Sequence, residues 1–548
     1  TLNPLAANQT GTLSEGNLKL VTADSGYGMR FSNFQIPTSG KWYWEGYLAA
    51  VSTGAPAILG VSAYDSAGTY FLVEGSRVGL GYYQETGLLY GNQDTSGSSY
   101  GAAYAAGDII SVAVNVDDDE VTFYKNNSTQ GTDSFDAAGL FALFGDYSGN
   151  KNVTWVVNFG QDSSFAGNKS TANSNADGEG HGSFAYAPPS GYLALCSQNL
   201  PDAAIIDGTD NFNTVLWTGN GSDGRSITGV GFDPDFVWIK SRNLTTSHLL
   251  NDTIRGANKS LFSEGTTAET ASNGGGYLSA FVTDGFSVTS GSSGDDAVND
   301  GSDTYVAWNW LAGTAFSNDA SATSVGTIDS EGQINTTAGF AIIKWAGTGS
   351  NGTIAHGLSA APELIIVKNR DASDEWPVLE TVVNGGTHYL RLNSTAASTS
   401  TSVMWNNTAP TSSVFSVGTY EYVNDSSENY ISYIFHSVEG YSKVGSYVGN
   451  GNADGPFVYT GFRPAWIMQK KSNNTGHWHI WDSTRNTSNE VTRYFSADDS
   501  SAEATDGGLD IVSNGFKPRK TGTGLNASGD TYIYLAFADQ PFKFSNAR

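Results

Sequence analysis

The chain of 548 residues is too long for one hydrophobic core, and at about 150 residues per domain its length predicts three or four domains. Charged residues make up only 15% of the sequence and glycine occurs 66 times, which excludes long charged helices and favours turns and packed strands. The net charge of -27 repels nucleic acid and anionic lipid, and the single cysteine, Cys196, excludes an intrachain disulfide. No apolar run is long enough to cross a membrane, and the first residues lack the basic and apolar regions of an export signal. We therefore expect no nucleic-acid partner, no membrane insertion and no export signal in this sequence.

Short runs in which apolar and polar residues alternate occur along the whole chain. One such run places Val112, Val114 and Val116 on the same face, and most runs end at Gly, Asn, Asp or Ser, which favour turns. Where a helix could be argued, the apolar spacing is poor. The sequence therefore predicts an all-β protein with at most one or two helical turns.

The composition changes near residues 166–182, where apolar side chains almost disappear. This change predicts a first domain at residues 1–170, followed by a linker or connector at 171–213. The connector contains Pro188, Pro189 and Pro201, which stiffen an extended path and cannot lie inside a central strand. We expect this connector to pack on the first domain.

From residue 214 the sequence repeats itself three times. Landmarks of the first copy are found again 128 residues later, and those of the second copy are found again 102 residues later: Trp217, Trp345 and Tyr447; Pro234, Pro362 and Pro464; Lys240, Lys368 and Lys470; His248, Trp376 and Trp478. Random sequence would not keep this spacing, so we predict three homologous β-sandwich domains at 214–320, 321–440 and 441–548. The recurring lysines predict a structural role that is repeated in each copy.

Residues 41–161 carry several motifs of one known domain. They include KWYWEGYL at 41–48, VGLGYYQETGLLYGN at 78–92, GDIISVAVNVDDDEVTFYKNNSTQG at 107–131 and VVNFGQ at 156–161. This stretch resembles a SPRY domain of the concanavalin A-like type. The resemblance implies a jelly-roll sandwich that binds ligands through loops at one edge. The sequence departs from the family at one turn, where Asn127 stands in a place that Gly often takes.

The order of segments along the chain carries a second resemblance. A TLNPL start, the SPRY-like stretch, the connector FAYAPPSGYLALCSQNLPD and repeats built on GFDPDFVWIKSR and TYVAWNW are arranged as in large structural proteins of tailed bacteriophages. The resemblance implies a protein on the surface of the particle, in a tail or head appendage assembled in the host cytoplasm. Its partners would be other virion proteins and a host cell-surface polysaccharide or protein receptor. We expect a homo-oligomer, with a trimer favoured, because several weak sites then act together.

Residues suited to catalysis or metal binding do not form a clear group. Glu45 and Glu74 are isolated, whereas a glycosidase needs two carboxylates facing one sugar bond. His477 and His479 would lie on one face of a strand, but without a third ligand nearby we interpret them as a solvent-exposed pair. The acidic turns at 117–120 and 207–210 are interpreted as solvated turns in preference to calcium sites. We expect no catalytic residue, no cofactor and no metal.

Aromatic residues near the predicted loop ends of the SPRY-like domain give the best binding hypothesis. Exposed rings beside acidic groups can stack on a sugar and bind its hydroxyls. The predicted ligand-binding residues are Tyr64, Asp65, Tyr82, Tyr83, Tyr90 and Tyr147. By contrast, we interpret as core the tryptophans that alternate within strand runs: Trp42, Trp44, Trp155, Trp308 and Trp310.

These observations predict a non-enzymatic virion structural protein of a phage, in the first place a tail fibre or appendage that binds host cell-surface glycan. One alternative is a knob-like decoration protein of the capsid or tail. Another is a secreted bacterial lectin or polysaccharide hydrolase, which an upstream export signal or a convergent pair of acids in the folded chain would favour.

Overall fold

The structure is a computed structural model. It describes residues 1–6, 11–22, 28–52, 54, 56–63, 78–91, 96–147, 152–170, 173–271, 275–290, 298–522 and 524–545. The chain forms two compact units, Thr1–Asp202 and Ala203–Arg548, and their boundary falls inside the predicted connector. The all-β prediction is confirmed, but the described residues contain five helical turns of three or four residues, more than the one or two expected. None of the described helices has the length and apolar character needed to cross a membrane.

The first unit consists of two antiparallel sheets. Its strands are β1 (Thr12–Ser14), β2 (Lys19–Val21), β3 (Arg30–Phe31), β4 (Lys41–Val51), β5 (Ala57–Ser62), β6 (Gly79–Tyr83), β7 (Leu88–Gly91), β8 (Ser98–Ser99), β9 (Ile109–Asn115), β10 (Glu120–Lys125), β11 (Ser128–Ser134), β12 (Phe141–Asp146), β13 (Val153–Asn158) and β14 (Leu193–Ala194). One sheet has the order β1-β2-β13-β4-β9-β10-β11, with β14 beside β4, and the other has the order β3-β12-β5-β6-β7-β8. Trp44 and Trp155 of the first sheet and Leu59 and Phe144 of the second are fully buried, so alternate residues of both sheets form the core.

The β10–β11 hairpin explains how this chain dispenses with the glycine that the SPRY pattern has at its turn. Asn126 and Asn127 both adopt the left-handed conformation, with φ of 46° and 68°. A tight hairpin turn of this kind needs positive φ at both central residues, and asparagine tolerates it better than most residues do. Asn127 therefore fills the place of glycine without breaking the hairpin.

The connector packs on the first unit, as predicted, through the carboxylate of Glu45. Both Glu45 oxygens accept backbone N–H groups of the connector, from Ala185 and Tyr186, each at 2.9 Å. Tyr43 and Asn158 donate to the same carboxylate at 3.1 and 3.2 Å. The β14 strand then continues the sheet beside β4. Glu45, which the sequence presented as an isolated acid, is thus a buried anchor, and burial raises the pKa of its carboxyl.

The second unit begins with a 3-10 turn at Gly208–Asp210 and contains tandem β domains, which are called the first, second and third β domains in chain order. The first β domain has strands β15 (Phe212–Thr218), β16 (Arg225–Thr228), β17 (Phe236–Ser241), β18 (Leu249–Asp252), β19 (Lys259–Ser260), β20 (Thr270–Ala271), β21 (Tyr277–Val282), β22 (Gly285–Thr289) and β23 (Thr304–Trp310). The elements that follow are β24 (Thr314–Asn318), α1 (Ala320–Thr323), β25 (Ser330–Asn335), β26 (Phe340–Ala346), β27 (Gly352–Ala355), β28 (Leu364–Asn369), β29 (Pro377–Glu380), β30 (His388–Arg391), β31 (Thr399–Ser400), α2 (Ser402–Trp405), β32 (Val414–Val417), α3 (Glu421–Asn424) and β33 (Asn429–Phe435). The third β domain has β34 (Ser442–Val448), β35 (Val458–Tyr459), β36 (Phe462–Lys471), β37 (Trp478–Asp482), β38 (Phe495–Ser496), β39 (Leu509–Val512), β40 (Gly515–Pro518), β41 (Thr531–Pro541) and a 3-10 turn at Phe542–Phe544.

The large sheets of the three β domains share one strand order. It is β15-β23-β17-β18 in the first, β26-β33-β28-β29 in the second and β34-β41-β36-β37 in the third. A smaller sheet accompanies each: β16-β22-β21, β27-β32 and β35-β40-β39. The second β domain differs because the hairpin β24–β25 adds two strands beside β26. This hairpin begins at Thr314, before the predicted boundary at residue 320.

Backbone hydrogen bonds close the three β domains into a ring. The Glu269 N–H of the first donates to Arg370 O of the second, Ser398 of the second donates in the same way to Ser472 of the third, and Glu503 of the third returns to Arg242 of the first, all at 2.8 Å. Side-chain ring nitrogens repeat the pattern, since Trp376, Trp478 and His248 lie within 3.0, 2.7 and 3.2 Å of Phe262 O, Arg391 O and Asp499 O respectively.

A hydrophobic core lies where the three large sheets meet. Trp310, Phe435 and Phe537, one from each β domain, belong to a single buried cluster. The first and second β domains also have separate clusters between their large and small sheets. Each large sheet therefore has one face toward the shared core and one toward its own small sheet.

Candidate functional site

Three of the predicted tyrosines of the first unit form a compact cluster. The ring centroids of Tyr83 and Tyr90 are 5.2 Å apart, those of Tyr83 and Tyr147 5.7 Å, and those of Tyr90 and Tyr147 5.5 Å. Tyr83 and Tyr147 are half-buried, while Tyr90 is only 8% exposed. Tyr83 and Tyr147 thus present the accessible surface, and Tyr90 packs against both of them.

Strand alternation explains why these rings meet. Tyr83 is the last residue of β6, Tyr90 lies on β7 and Tyr147 follows β12 directly. Gly81, two residues before Tyr83, is opposite Tyr90 in the ladder, so both tyrosines project from the face of the sheet that is turned away from the sandwich core. The small Gly81 leaves room for the neighbouring rings.

The electrostatics of the cluster keep the Tyr83 phenol neutral. Burial, together with the nearby Glu85, Tyr90 and Tyr147, raises the pKa of Tyr83 to about 12. A neutral phenol donates one hydrogen bond and accepts others, while its ring offers an apolar face. The arrangement can therefore stack on an apolar face of a ligand and hydrogen-bond its hydroxyl groups, which is the combination that a sugar requires.

The remaining predicted site residues do not join this cluster. Tyr82 is fully buried on the core side of β6, where it packs on Tyr104 and Phe123, so its ring offers no face to a ligand. Tyr82 is therefore a core residue, because it alternates with Tyr83 on the same strand. Tyr64 and Asp65 lie outside the described residues.

The histidine pair was predicted to be exposed, and this is wrong for one of its members. The His477 side chain is 45% exposed and its Nδ1 lies 2.9 Å from Asp498 Oδ2. His479 is only 8% exposed and packs against Trp481 and Tyr494, and burial lowers its pKa to about 3. Among the described residues, no group of three or more His, Cys, Asp or Glu side chains is placed to hold a metal ion.

The tryptophans and lysines occupy the places expected of structural residues. Trp42, Trp44, Trp155, Trp308 and Trp310 are all buried, so the prediction that they are core residues is confirmed. Lys240, Lys368 and Lys470 are fully buried, and each ammonium donates to two backbone carbonyls at 2.7–3.1 Å. The sequence did not reveal the anchoring role of Glu45, and the ring of β domains was equally hidden, because both depend on contacts between distant segments.

The geometry of the first unit agrees with known proteins of one class. Residues 41–162 match the model of the SPRY domain. The SPRY domain of human HERC1 is 20% identical over 29% of this chain and 96% of its own, with a TM-score of 0.24. A human SPRY domain is 19% identical over 27% and 94%, with a TM-score of 0.22, and the PSpry domain of TRIM65 is 20% identical over 29% and 90%, with a TM-score of 0.23. The N-terminal unit therefore contains a SPRY domain, a β-sandwich binding module.

The larger part of the chain identifies its family. Residues 207–541, more than half of the sequence, match the model described as domain of unknown function DUF7483. The chain belongs to the DUF7483 family. None of the curated proteins matches it.

Proposed function

We propose that this chain is a non-enzymatic structural protein on the surface of a tailed-phage particle, and that its SPRY domain binds a glycan of the host cell surface. The observation that carries the proposal is the cluster of Tyr83, Tyr90 and Tyr147, with ring centroids 5.2–5.7 Å apart. Ring faces and neutral hydroxyls at one place suit the alternating apolar faces and hydroxyl edges of a sugar. The order of segments along the chain, which resembles that of phage structural proteins, supports the location.

Such a shallow site binds weakly, so the proposal includes several copies of the chain on one particle. We propose a homo-oligomer, with a trimer favoured, attached to other virion proteins. Linked weak sites on a polymeric surface can exceed the affinity of one site by a factor of about 10²–10⁴. Light scattering of the purified full chain tests this part, and a mass of 57.8 kDa, that of a single chain, would contradict it.

The receptor-binding part is tested by competition. Host cells are incubated with the purified full chain, and the adsorption of intact phage is then measured. We expect the chain to block adsorption in a concentration-dependent way and Tyr83→Ala to need at least tenfold more protein. Tyr420→Ala is the matched control, because Tyr420 also packs against another tyrosine, Tyr422 at 4.7 Å, but lies outside the SPRY domain. Full adsorption at saturating, folded and oligomeric protein would refute receptor binding and favour a knob-like decoration role.

We also propose that the three β domains are homologous copies that serve as one structural module. Their aromatic landmarks support this, because Trp217, Trp345 and Tyr447 stack on a tyrosine of the same domain at 5.3, 5.4 and 5.0 Å. Each also donates a hydrogen bond to an equivalent backbone carbonyl, that of Val298, Val423 or Leu525. If the positions are equivalent, Tyr447→Trp keeps the stack and the carbonyl contact, loses only the contact with Gln469 Oε1, and costs at most about 3 kcal/mol of unfolding free energy. A larger loss in urea denaturation would count against equivalence.

A further inference from the structure

The second β domain contains a polar cleft beside the hairpin that distinguishes it from the other two β domains. The cleft has a volume of about 340 Å³ and lies between the β24–β25 hairpin and the ends of β26 and β33. Its charged and amide side chains include Asn318, Asp319, Glu331, Lys344, Arg370 and Asn429. This volume is at the lower end of the range of ligand pockets, about 300–1,000 Å³.

The polar groups of the cleft are held in place before any ligand arrives. Glu331 and Lys344 are directly opposite in the β25–β26 ladder and form an ion pair at 2.8 Å. The Arg370 guanidinium is held on two edges by the Glu269 carboxylate, at 2.8 and 3.2 Å. Asn429 donates from its side-chain amide to Asp371 at 2.8 Å. Fixed donors and acceptors of this kind reduce the entropy that a ligand must lose on binding.

The ring does not need the Glu331–Lys344 pair, whereas Arg370 has a counterpart in Arg242, which pairs with Glu503 in the same way at another junction of the ring. The positions equivalent to Lys344, 128 residues earlier and 102 residues later, are Leu216 and Ser446, and neither carries a charge. Where β25 lies beside β26, the matching strands β15 and β34 are the edges of their sheets. The cleft is therefore an addition to one β domain, and the scaffold of the other two closes without it.

The chemistry of the lining selects a class of ligand. The carboxylates of Asp319, Asp329 and Glu331 repel an anion, and the cations of Lys344 and Arg370 repel a metal ion or an amine. Trp345 borders the cleft but is only 4% exposed, so a flat apolar ligand finds no ring to stack on. A neutral polyhydroxylated molecule avoids both kinds of repulsion and can hydrogen-bond to donors and acceptors alike.

We propose that this cleft is a second carbohydrate site, which binds one or two units of a neutral saccharide by hydrogen bonds alone. It rests on the proposed function in that both sites would engage the same kind of polymer, but it uses different residues and a different unit of the chain. The SPRY tyrosines would supply stacking, and the cleft would supply hydrogen bonds.

The test is saturation-transfer NMR on the full chain, with methyl glycosides of glucose, galactose, mannose and N-acetylglucosamine and their disaccharides as probes. We expect at least one probe to bind and the double variant Glu331→Gln/Lys344→Met to reduce its signal at least fivefold. Both residues are exposed, by 60% and 32% of their side chains, so the variant should unfold at the wild-type temperature. Arg519→Met is the matched control, because it removes a comparably exposed ion pair, with Asp510, from the third β domain.

The other outcomes separate the two proposals. A signal that disappears in Tyr83→Ala and persists in the double variant would overturn the cleft site and leave the SPRY site standing. The cleft proposal is equally overturned if no probe binds. Inorganic phosphate and Ca²⁺ are titrated in parallel, and if either of them binds in wild type and not in the double variant, the site is an ion site and the carbohydrate assignment is wrong.

Discussion

The buried lysines Lys240, Lys368 and Lys470 should make the stability of the second unit rise with pH above neutrality. Each has two carbonyl acceptors in the structure: Ser241 and Leu244 for Lys240, Asn369 and Ala372 for Lys368, Thr395 and Gly476 for Lys470. A charged ammonium has three N–H donors, whereas a neutral amine has two and is fully satisfied by two carbonyls. Burial lowers the pKa of each of these lysines from 10.5 to about 8.

The magnitude follows from proton linkage. Between pH 8 and 10.5 the unfolded lysine binds a proton that the folded one has released, so the free energy of unfolding increases with pH in this interval. With these two pKa values, one lysine adds about 1.3 kcal/mol between pH 7 and pH 9, and three lysines add about 4 kcal/mol. Between pH 7 and pH 9 the tyrosines contribute little, because their unfolded pKa is about 10.

Urea denaturation at pH 7, 8 and 9 measures the effect. In Lys368→Met the increase from pH 7 to pH 9 should be smaller than in wild type by about 1.3 kcal/mol, whatever the absolute stability of the variant. Lys443→Met, at a partly exposed position of β34, is the matched control. If wild type and Lys368→Met differ by the same amount at all three pH values, the buried lysine is not neutral in the folded protein above pH 8 and the argument fails.

Three further substitutions test other contacts, with urea denaturation as the measurement. Glu503→Gln should lower the free energy of unfolding by about 3–5 kcal/mol, because the buried Glu503 carboxylate pairs with three arginines. Glu331→Gln, which breaks an exposed ion pair, should lower it by at most about 1 kcal/mol. Gly449→Ala should lower the free energy of unfolding by about 1–3 kcal/mol, since a Cβ there would lie 2.2 Å from the backbone oxygen of Ala527. Gly522→Ala has open space around it and should leave the stability nearly unchanged. Equal losses in the two variants would mean that the close contact at Gly449 is not the cause. Glu45→Ala removes the acceptor of four hydrogen bonds and should lower the free energy of unfolding of the first unit by about 3 kcal/mol or more. A loss below about 1 kcal/mol would mean that other contacts hold the connector.

Local pattern predicted the fold class and the packing of the connector, because both depend on alternation, turn residues and proline, which act over a few residues. The landmarks Trp217, Trp345 and Tyr447, which the sequence matched by spacing, each stack on a tyrosine in the structure. The same reasoning failed at Tyr82, because adjacent tyrosines on one strand necessarily face opposite sides and the sequence alone did not tell which faced the core.

Local sequence patterns did not predict the contacts between distant segments of the chain. His479 is predicted to be exposed because no third metal ligand lies nearby in the sequence, but Tyr494, which belongs to another segment, covers it. The cleft in the second β domain was hidden for the same reason, since Glu331 and Arg370 come together only after β25 has paired with β26. No periodicity in the sequence carries information on such pairings.

Three similar β domains in one chain could in principle assemble in the wrong order, and buried polar contacts distinguish the three junctions. Between the first and second, Tyr433 donates to Asp252, which also pairs with Arg255. Between the third and first, Trp308 donates to Asp482, which pairs with Arg485. At the remaining junction, Glu380 of the second β domain has Val383 in place of the arginine and accepts from its backbone N–H. The third β domain correspondingly supplies Leu535, which donates no side-chain hydrogen bond, at the place of Tyr433 and Trp308.

Because a buried charge without its partner costs several kcal/mol, a wrong order would leave an aspartate without its aromatic donor and is disfavoured. The buried polar contacts at the junctions thus specify the order in which the three β domains assemble.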